Sequence, residues 1–169
     1  MAAREVLLLG NPLLYETSAE VGQEELREVS EVVSDLHDTM MDFRRRYGAG
    51  RAIAAPQIGV MKRIIYMHVD DSSRIFINPE MKFVGMEKME IWDDCMCFPD
   101  LLVKVRRHKS CLIRFLNEEW EEEEALFEDD LSELLQHEYD HLDGILAVSR
   151  AIDGRSFALR SQREFLGGY

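Results

Sequence analysis

Cysteine is scarce and does not pair off. Cys95, Cys97 and Cys111 are the three in 169 residues. An odd number without framework spacing excludes a disulfide-stapled secreted module and points to a reducing compartment. Long hydrophobic runs are missing too. The opening "MAAREVLLLG" has four consecutive apolar residues and one basic one, too few for a signal peptide's apolar stretch or a membrane span. No lipidation motif, internal repeat or linker interrupts the chain. These absences predict a cytoplasmic protein with no membrane partner, folded as one domain over residues 1–169. A chain of this length buries roughly two thirds of the surface its unfolded form exposes, so it needs neither disulfide nor metal merely to fold.

Excess positive charge is absent as well. The formal net charge is −13, and residues 117–130, "NEEWEEEEALFEDD", hold nine acids and no base. Such a chain is a poor candidate for tight nucleic-acid binding. The acidic run reads as a solvated, self-repelling loop or sheet edge, with a docking surface for a basic partner as the lesser reading.

What is present is a clear change of period along the chain. Over 23–46, Leu26, Val29, Val33, Leu36, Met40 and Phe43 recur at helical spacing. Acids open this helix, Arg44 to Arg46 close it, and Gly48 is placed to end it. Strand-like runs follow: "RIIYMHV" and "RIFINPE" around a "DDSS" turn, then "MKFVGMEKMEIW", "LLVKVRR" and "SCLIRFLN". Helical spacing returns over 130–147, and a last helix is expected within 154–166. Helix, strands, then helix predicts an α+β fold: mostly antiparallel sheets packed around a central metal-bearing helix, with the N-terminal amphipathic helix beside them.

That central helix carries "QHEYDHLDG", residues 136–144. Leu131, Leu135, Leu142 and Ile145 form its apolar stripe, and His137 and His141 fall on one flank of it, about 40° apart. Two imidazoles one turn apart can reach a single metal ion. Glu138 falls near the middle of the stripe, where a carboxylate loses hydration unless a charge or a reacting water compensates it. A catalytic site of this type has a third protein ligand. No histidine follows His141, which excludes a third histidine downstream. Glu164 is the distant carboxylate option. The remaining strong ligand type is cysteine, and Cys95 lies in "WDDCMCFPD", a polar loop between two strand candidates.

Taken together, "QHEYDHLDGIL", "DDCMCFP" and "GRAIAAPQIGV" resemble the three signature segments of peptide deformylases, and "LLLGNPLLYETSAEV" and "FINPEM" support the likeness. The resemblance covers about residues 6 to 147. It implies Cys95, His137 and His141 as ligands of one divalent ion, Fe2+ by preference, with Zn2+, Ni2+ or Co2+ able to substitute. It implies Glu138 as the proton carrier, and the Gln57 amide and Met96 N–H as the groups that hold the formyl oxygen. The implied reaction removes the formyl group from the N-terminal methionine of new chains, with formylated peptide ends as partners and a ribosome contact left open. Formyl is the smallest acyl group, so a tight pocket would exclude acetylated ends.

The pattern is broken at informative places. The family's Gly-x-Gly-Leu-Ala-Ala-Pro-Gln reads Gly50-Arg51-Ala52-Ile53-Ala54-Ala55-Pro56-Gln57 here. Asp94 stands beside Cys95 where the family has glycine. The wall that would hold the substrate's first side chain is expected to include Gly50, Arg51, Ala52, Ile53, Ile91, Asp94, Asp130, Glu133 and Leu134, which makes it unusually polar. Arg51 is expected to face Glu133 or Asp130 across this pocket; otherwise it bends to solvent and both acids serve the helix N-terminus. Asp140 is expected to pair with Arg107. The competing functions are a related amide hydrolase acting on another formylated or small acylated substrate, a metal-binding protein with little activity, and, weakest, a zinc endopeptidase.

Overall fold

The computed structural model describes residues 2–167. Helix α1 spans Leu26–Tyr47 and follows a single 3-10 turn at Gln23–Glu25, so the expected helix begins three residues late. Its apolar stripe is buried through Val29, Leu36, Met40 and Phe43. The chain leaves α1 at Gly48, whose φ of 66° lets its N–H bond back to the Arg44 carbonyl. That left-handed stop is cheap only for glycine.

Among the described residues eight strands follow: β1 (Ala52–Ala54), β2 (Ile64–Val69), β3 (Ser72–Phe83), β4 (Lys88–Asp93), β5 (Leu101–His108), β6 (Ser110–Leu116), β7 (Glu122–Glu128) and β8 (Phe157–Leu159). They form a five-stranded sheet of order β1-β2-β3-β6-β7 and a three-stranded sheet of order β4-β5-β8. Every pairing among these strands is antiparallel. Asp70 and Asp71 make the tight β2–β3 turn with φ of 51° and 58°, the paired positive values that match strand twist in a two-residue hairpin. In β3 the pairing with β6 slips at Asn78-Pro79, where proline cannot donate to the ladder.

The expected α+β architecture is present, with two local corrections. The run expected as one strand over 81–92 is the end of β3, a turn at Gly85 (φ 72°), and β4. The acidic stretch is the sheet edge expected of it rather than a loop: β7 is an outer strand of the larger sheet, with Glu122 to Glu124 exposed and Phe127 buried. Charge on an edge strand deters pairing with another chain. The last expected helix is strand β8 followed by a 3-10 segment, Arg160–Phe165; β8 gains ladder bonds from β5 that no helix there would have.

Helix α2, Asp129–Leu142, stops five residues short of its expected end. It packs against β1, β2, β6 and β7 of the larger sheet and against β5 of the smaller one. Leu135 and Leu142 enter a core with Ala52, Ala54, Ile65, Phe76, Phe115 and Phe127. Among the described residues no helix is long and apolar enough to cross a membrane.

Candidate active site

Because α2 is covered on several sides, its polar residues are buried with its leucines. His137, Glu138 and His141 are all at most 5% exposed. Cys95 comes to them from the loop joining β4 to β5, and it is buried rather than solvated. The ligand atoms of Cys95, His137 and His141 lie within 4.8 Å of one another. The Cys95 sulfur is 3.4 Å from Nε2 of His141. His137 turns its Nδ1 to Asp93 at 2.8 Å, which leaves Nε2 for the cluster.

Asp93, the last residue of β4, ties this cluster to a buried charge chain. It also accepts from Arg107 at 3.1 Å; Arg107 bonds Asp140, and Asp140 takes two further bonds from Arg150. The Asp140–Arg107 pair is the one expected from sequence. Asp93 was not singled out, although a signal for it existed. A metal-ligating histidine gives its second N–H to an acceptor, and Asp93 stands two residues from Cys95.

These contacts set the proton affinities of the metal-free site. Burial favours neutral His137, but Asp93 outweighs it and pushes the imidazole up to about 10. Burial and the neighbouring His137 lower His141 instead. Burial raises the Cys95 thiol well above its usual range. Burial also lifts Glu138 to about 7, with His137 opposing the shift and Asp93 reinforcing it. One oxygen of Glu138, Oε2, is buried without a hydrogen-bond partner. One thiol and two imidazoles form a donor set suited to zinc or iron, and the unpartnered Glu138 oxygen beside them suits a water to be deprotonated. The residues therefore fit a catalytic divalent ion.

The cluster opens into a cavity of about 270 Å³. Gly50, Arg51, Ala52, Asp94, Glu133 and Leu134 line it as expected, with Gln57, Cys95, Met96, His137 and Glu138. Phe43, Gly48, Ala49 and Asp93 line it too; Phe43 had no signal because α1 folds back onto the site only in three dimensions, whereas Gly48 and Ala49 adjoin Gly50 in sequence. Ile53, Ile91 and Asp130 lie outside this lining. Alternation along β1 sends Ile53 to the α1 side with Leu36 and Met40, away from Ala52 and Ala54. Ile91 packs against the cluster holding Cys95, Val103 and Val105. Asp130 stands at the rim, 73% exposed.

Gln57 is held by its own oxygen. The Ala54 N–H donates to Oε1 at 2.8 Å, and Nε2 is thereby brought to 3.7 Å from the Cys95 sulfur and 3.6 Å from that of Cys97. Gly50 has a φ of 126°, and a Cβ there would sit 3.2 Å from the Met96 methyl carbon, so this wall needs glycine. Arg51 reaches both acids of α2: Nη1 to Asp130 at 3.0 Å and Nη2 to Glu133 at 2.9 Å. The two acids therefore do not simply cap the helix. Burial raises Glu133 to about 7, and Asp93 adds to the shift while Arg51 opposes it. Asp94 pairs with Arg160 of the tail at 2.8 Å, which compensates its charge near the Cys95 thiol.

Comparison with known proteins agrees with this geometry. The family described as Polypeptide deformylase matches residues 3–156. A peptide deformylase of Pseudothermotoga lettingae is 37% identical over 159 residues, covering 94% of this chain and 89% of the relative. Peptide deformylase 1 of Prochlorococcus marinus is 33% identical over 178 residues, covering 99% and 90%. The crystal structure of Thermotoga maritima peptide deformylase superposes with a TM-score of 0.83 at 25% identity, covering 90% of this chain and all of that one. The Met-Ala-Ser-bound class I type b enzyme of Acinetobacter baumannii gives 0.81 at 27%, covering 88% and 98%. With its fold and its buried cysteine–histidine cluster in agreement, the chain belongs to the polypeptide deformylase family, metal-dependent hydrolases that take the formyl group from nascent peptides.

Proposed function

We propose that the chain removes the formyl group from N-terminal formyl-methionine, using Cys95, His137 and His141 to hold one divalent ion. Ferrous iron is the native ion in this reading, and zinc, nickel or cobalt would serve in its place. Such an ion supplies Lewis-acid polarisation of the formyl oxygen and acidifies water toward neutral pKa. Glu138 accepts the proton of the attacking water as its oxygen adds to the formyl carbon. The Gln57 amide, oriented through Ala54, and the Met96 N–H donate to the oxyanion that forms. Glu138 then passes its proton to the departing nitrogen, the C–N bond breaks, and formate and a free amino terminus leave. Its buried, unpartnered Oε2 beside the ligand cluster places Glu138 for both transfers.

The observation that carries this reading is the convergence of the Cys95 sulfur and two imidazoles beside a buried glutamate, in one cavity with Gln57. The partner is the formylated end of a chain in synthesis, which places the activity in the cytoplasm and makes access at the ribosome part of the same proposal. Turnover of formyl-Met-Ala-Ser by metal-loaded protein tests it, with metal content measured in parallel. Loaded protein that releases no formate would reject it.

A further inference from the structure

We infer that the cavity wall meeting the first residue's side chain is built for a polar, unbranched side chain, so that formyl-glutaminyl ends are accepted nearly as well as formyl-methionyl ones. This rests on the deformylating role of the same site. A substrate whose formyl carbon lies by Cys95, Gln57 and Glu138 must lay its next atoms along the remainder of the one cavity those residues share with Arg51, Glu133 and Leu134. Glu133 precedes His137 by one helical turn, about 5.4 Å along α2, roughly the reach of a four-atom side chain.

At that distance the wall is ionic. The guanidinium of Arg51 spans from the start of β1 to α2 and bonds both Glu133 and Asp130. Arg51 engages Glu133 through Oε1, while a carboxylate can accept several hydrogen bonds and a guanidinium offers five donors. A methionine laid against this pair gains little from burial, because it strips water from charged groups and returns no hydrogen bond. Glutamine has nearly the same length. Its amide can donate to Glu133 and accept from Arg51. An anionic side chain fits worse: Glu133 and Asp130 already engage Arg51, Glu138 lines the same cavity, and Asp94 is already matched by Arg160.

The experiment compares formyl-Met-Ala-Ser, formyl-Gln-Ala-Ser and formyl-Glu-Ala-Ser with metal-loaded protein. The expected kcat/KM for the glutaminyl peptide is within about tenfold of the methionyl one, and that for the glutamyl peptide is lower again by about tenfold or more. In Arg51→Ile/Glu133→Leu the methionyl-to-glutaminyl ratio should rise about a hundredfold, because the buried amide loses its partners. Binding of Met-Ala-Ser and Gln-Ala-Ser by titration calorimetry reads the wall's preference without turnover. If the double variant does not fold, Glu133→Gln should raise the glutamyl peptide relative to the other two. A wild-type preference for methionine above about a hundredfold, or a ratio indifferent to the substitutions, overturns the inference. Absence of turnover on all three peptides would reject the deformylating role alone, and the product-binding ratio would still decide the character of the wall.

Discussion

Glu138 shows most directly how burial changes a carboxyl group. An exposed glutamate is ionised at neutral pH and is a weak base. Enclosed on α2, this one is raised to about 7 in the metal-free site, with burial as the leading cause. Glu138→Gln should lower kcat on formyl-Met-Ala-Ser by about 10²–10⁴-fold while leaving bound metal stoichiometric. Metal analysis beside steady-state kinetics checks both parts. Asp93 works through its neighbour instead. Burial alone would raise its carboxyl, yet His137 and Arg107 outweigh that and hold it below the usual range. A depressed folded-state value stabilises the protein above the unfolded value of about 3.9, and this stabilisation is lost as pH falls through the folded value. Metal-free protein should therefore lose stability below about pH 4. Asp93→Asn should flatten that acid limb, lower overall stability by about 1–3 kcal/mol because Arg107 keeps Asp140 but loses one charged partner, and weaken metal binding by about 10–100-fold. Urea melts across pH and metal titration give these values.

At the scale of elements, the site depends on segments remote from it in sequence. The N-terminal segment is stitched to two site segments: the Leu7 N–H donates to the Gln57 carbonyl at 2.8 Å and the Leu9 N–H to that of Cys97 at 2.9 Å. The same segment crosses the end of α2 so closely that a Cβ on Gly144 would lie 2.5 Å from the Tyr15 carbonyl, and Gly144 also has a φ of 71°. Gly144→Ala should destabilise the protein by about 2 kcal/mol or more, since both strain and backbone displacement are forced. A lowered denaturation midpoint with unchanged slope is the expected readout. The helices and most strands were legible in sequence because their apolar residues repeat with the period of the element. The tail was misread for a physical reason. Residues 157–159 have too short a pattern to distinguish helix from strand, and the β5 edge decides between them. Helix α2 likewise ends early because Gly144 turns the chain at positive φ, even though Ile145 continues the apolar spacing.

For the molecule as a whole, the central site is a cluster of groups that retain protons until a cation replaces them. The buried Cys95 thiol and the Asp93-bound His137 both carry protons at neutral pH in the metal-free protein. Loading with zinc near pH 7 should therefore release about two protons, and apparent affinity should rise with pH through the neutral range. Calorimetry in buffers of different ionisation enthalpy counts the protons. The same binding should raise the melting temperature, because the ligands converge only in the folded chain.

The sequence by itself placed two histidines and a glutamate at helical spacing on one helix and a cysteine in a loop; that this cysteine completes the ligand set was what the resemblance to deformylases implied. It also marked Arg51, Asp130 and Glu133 as charges in an unexpected place. Only the tertiary structure decided that Arg51 spans to both acids, that Asp94 is neutralised by Arg160, that Asp93 orients His137, and that Ile53 and Ile91 face other cores. These outcomes depend on which surfaces meet when two sheets close around α2, and no local period encodes the partner of a side chain across 79 or 66 residues of chain.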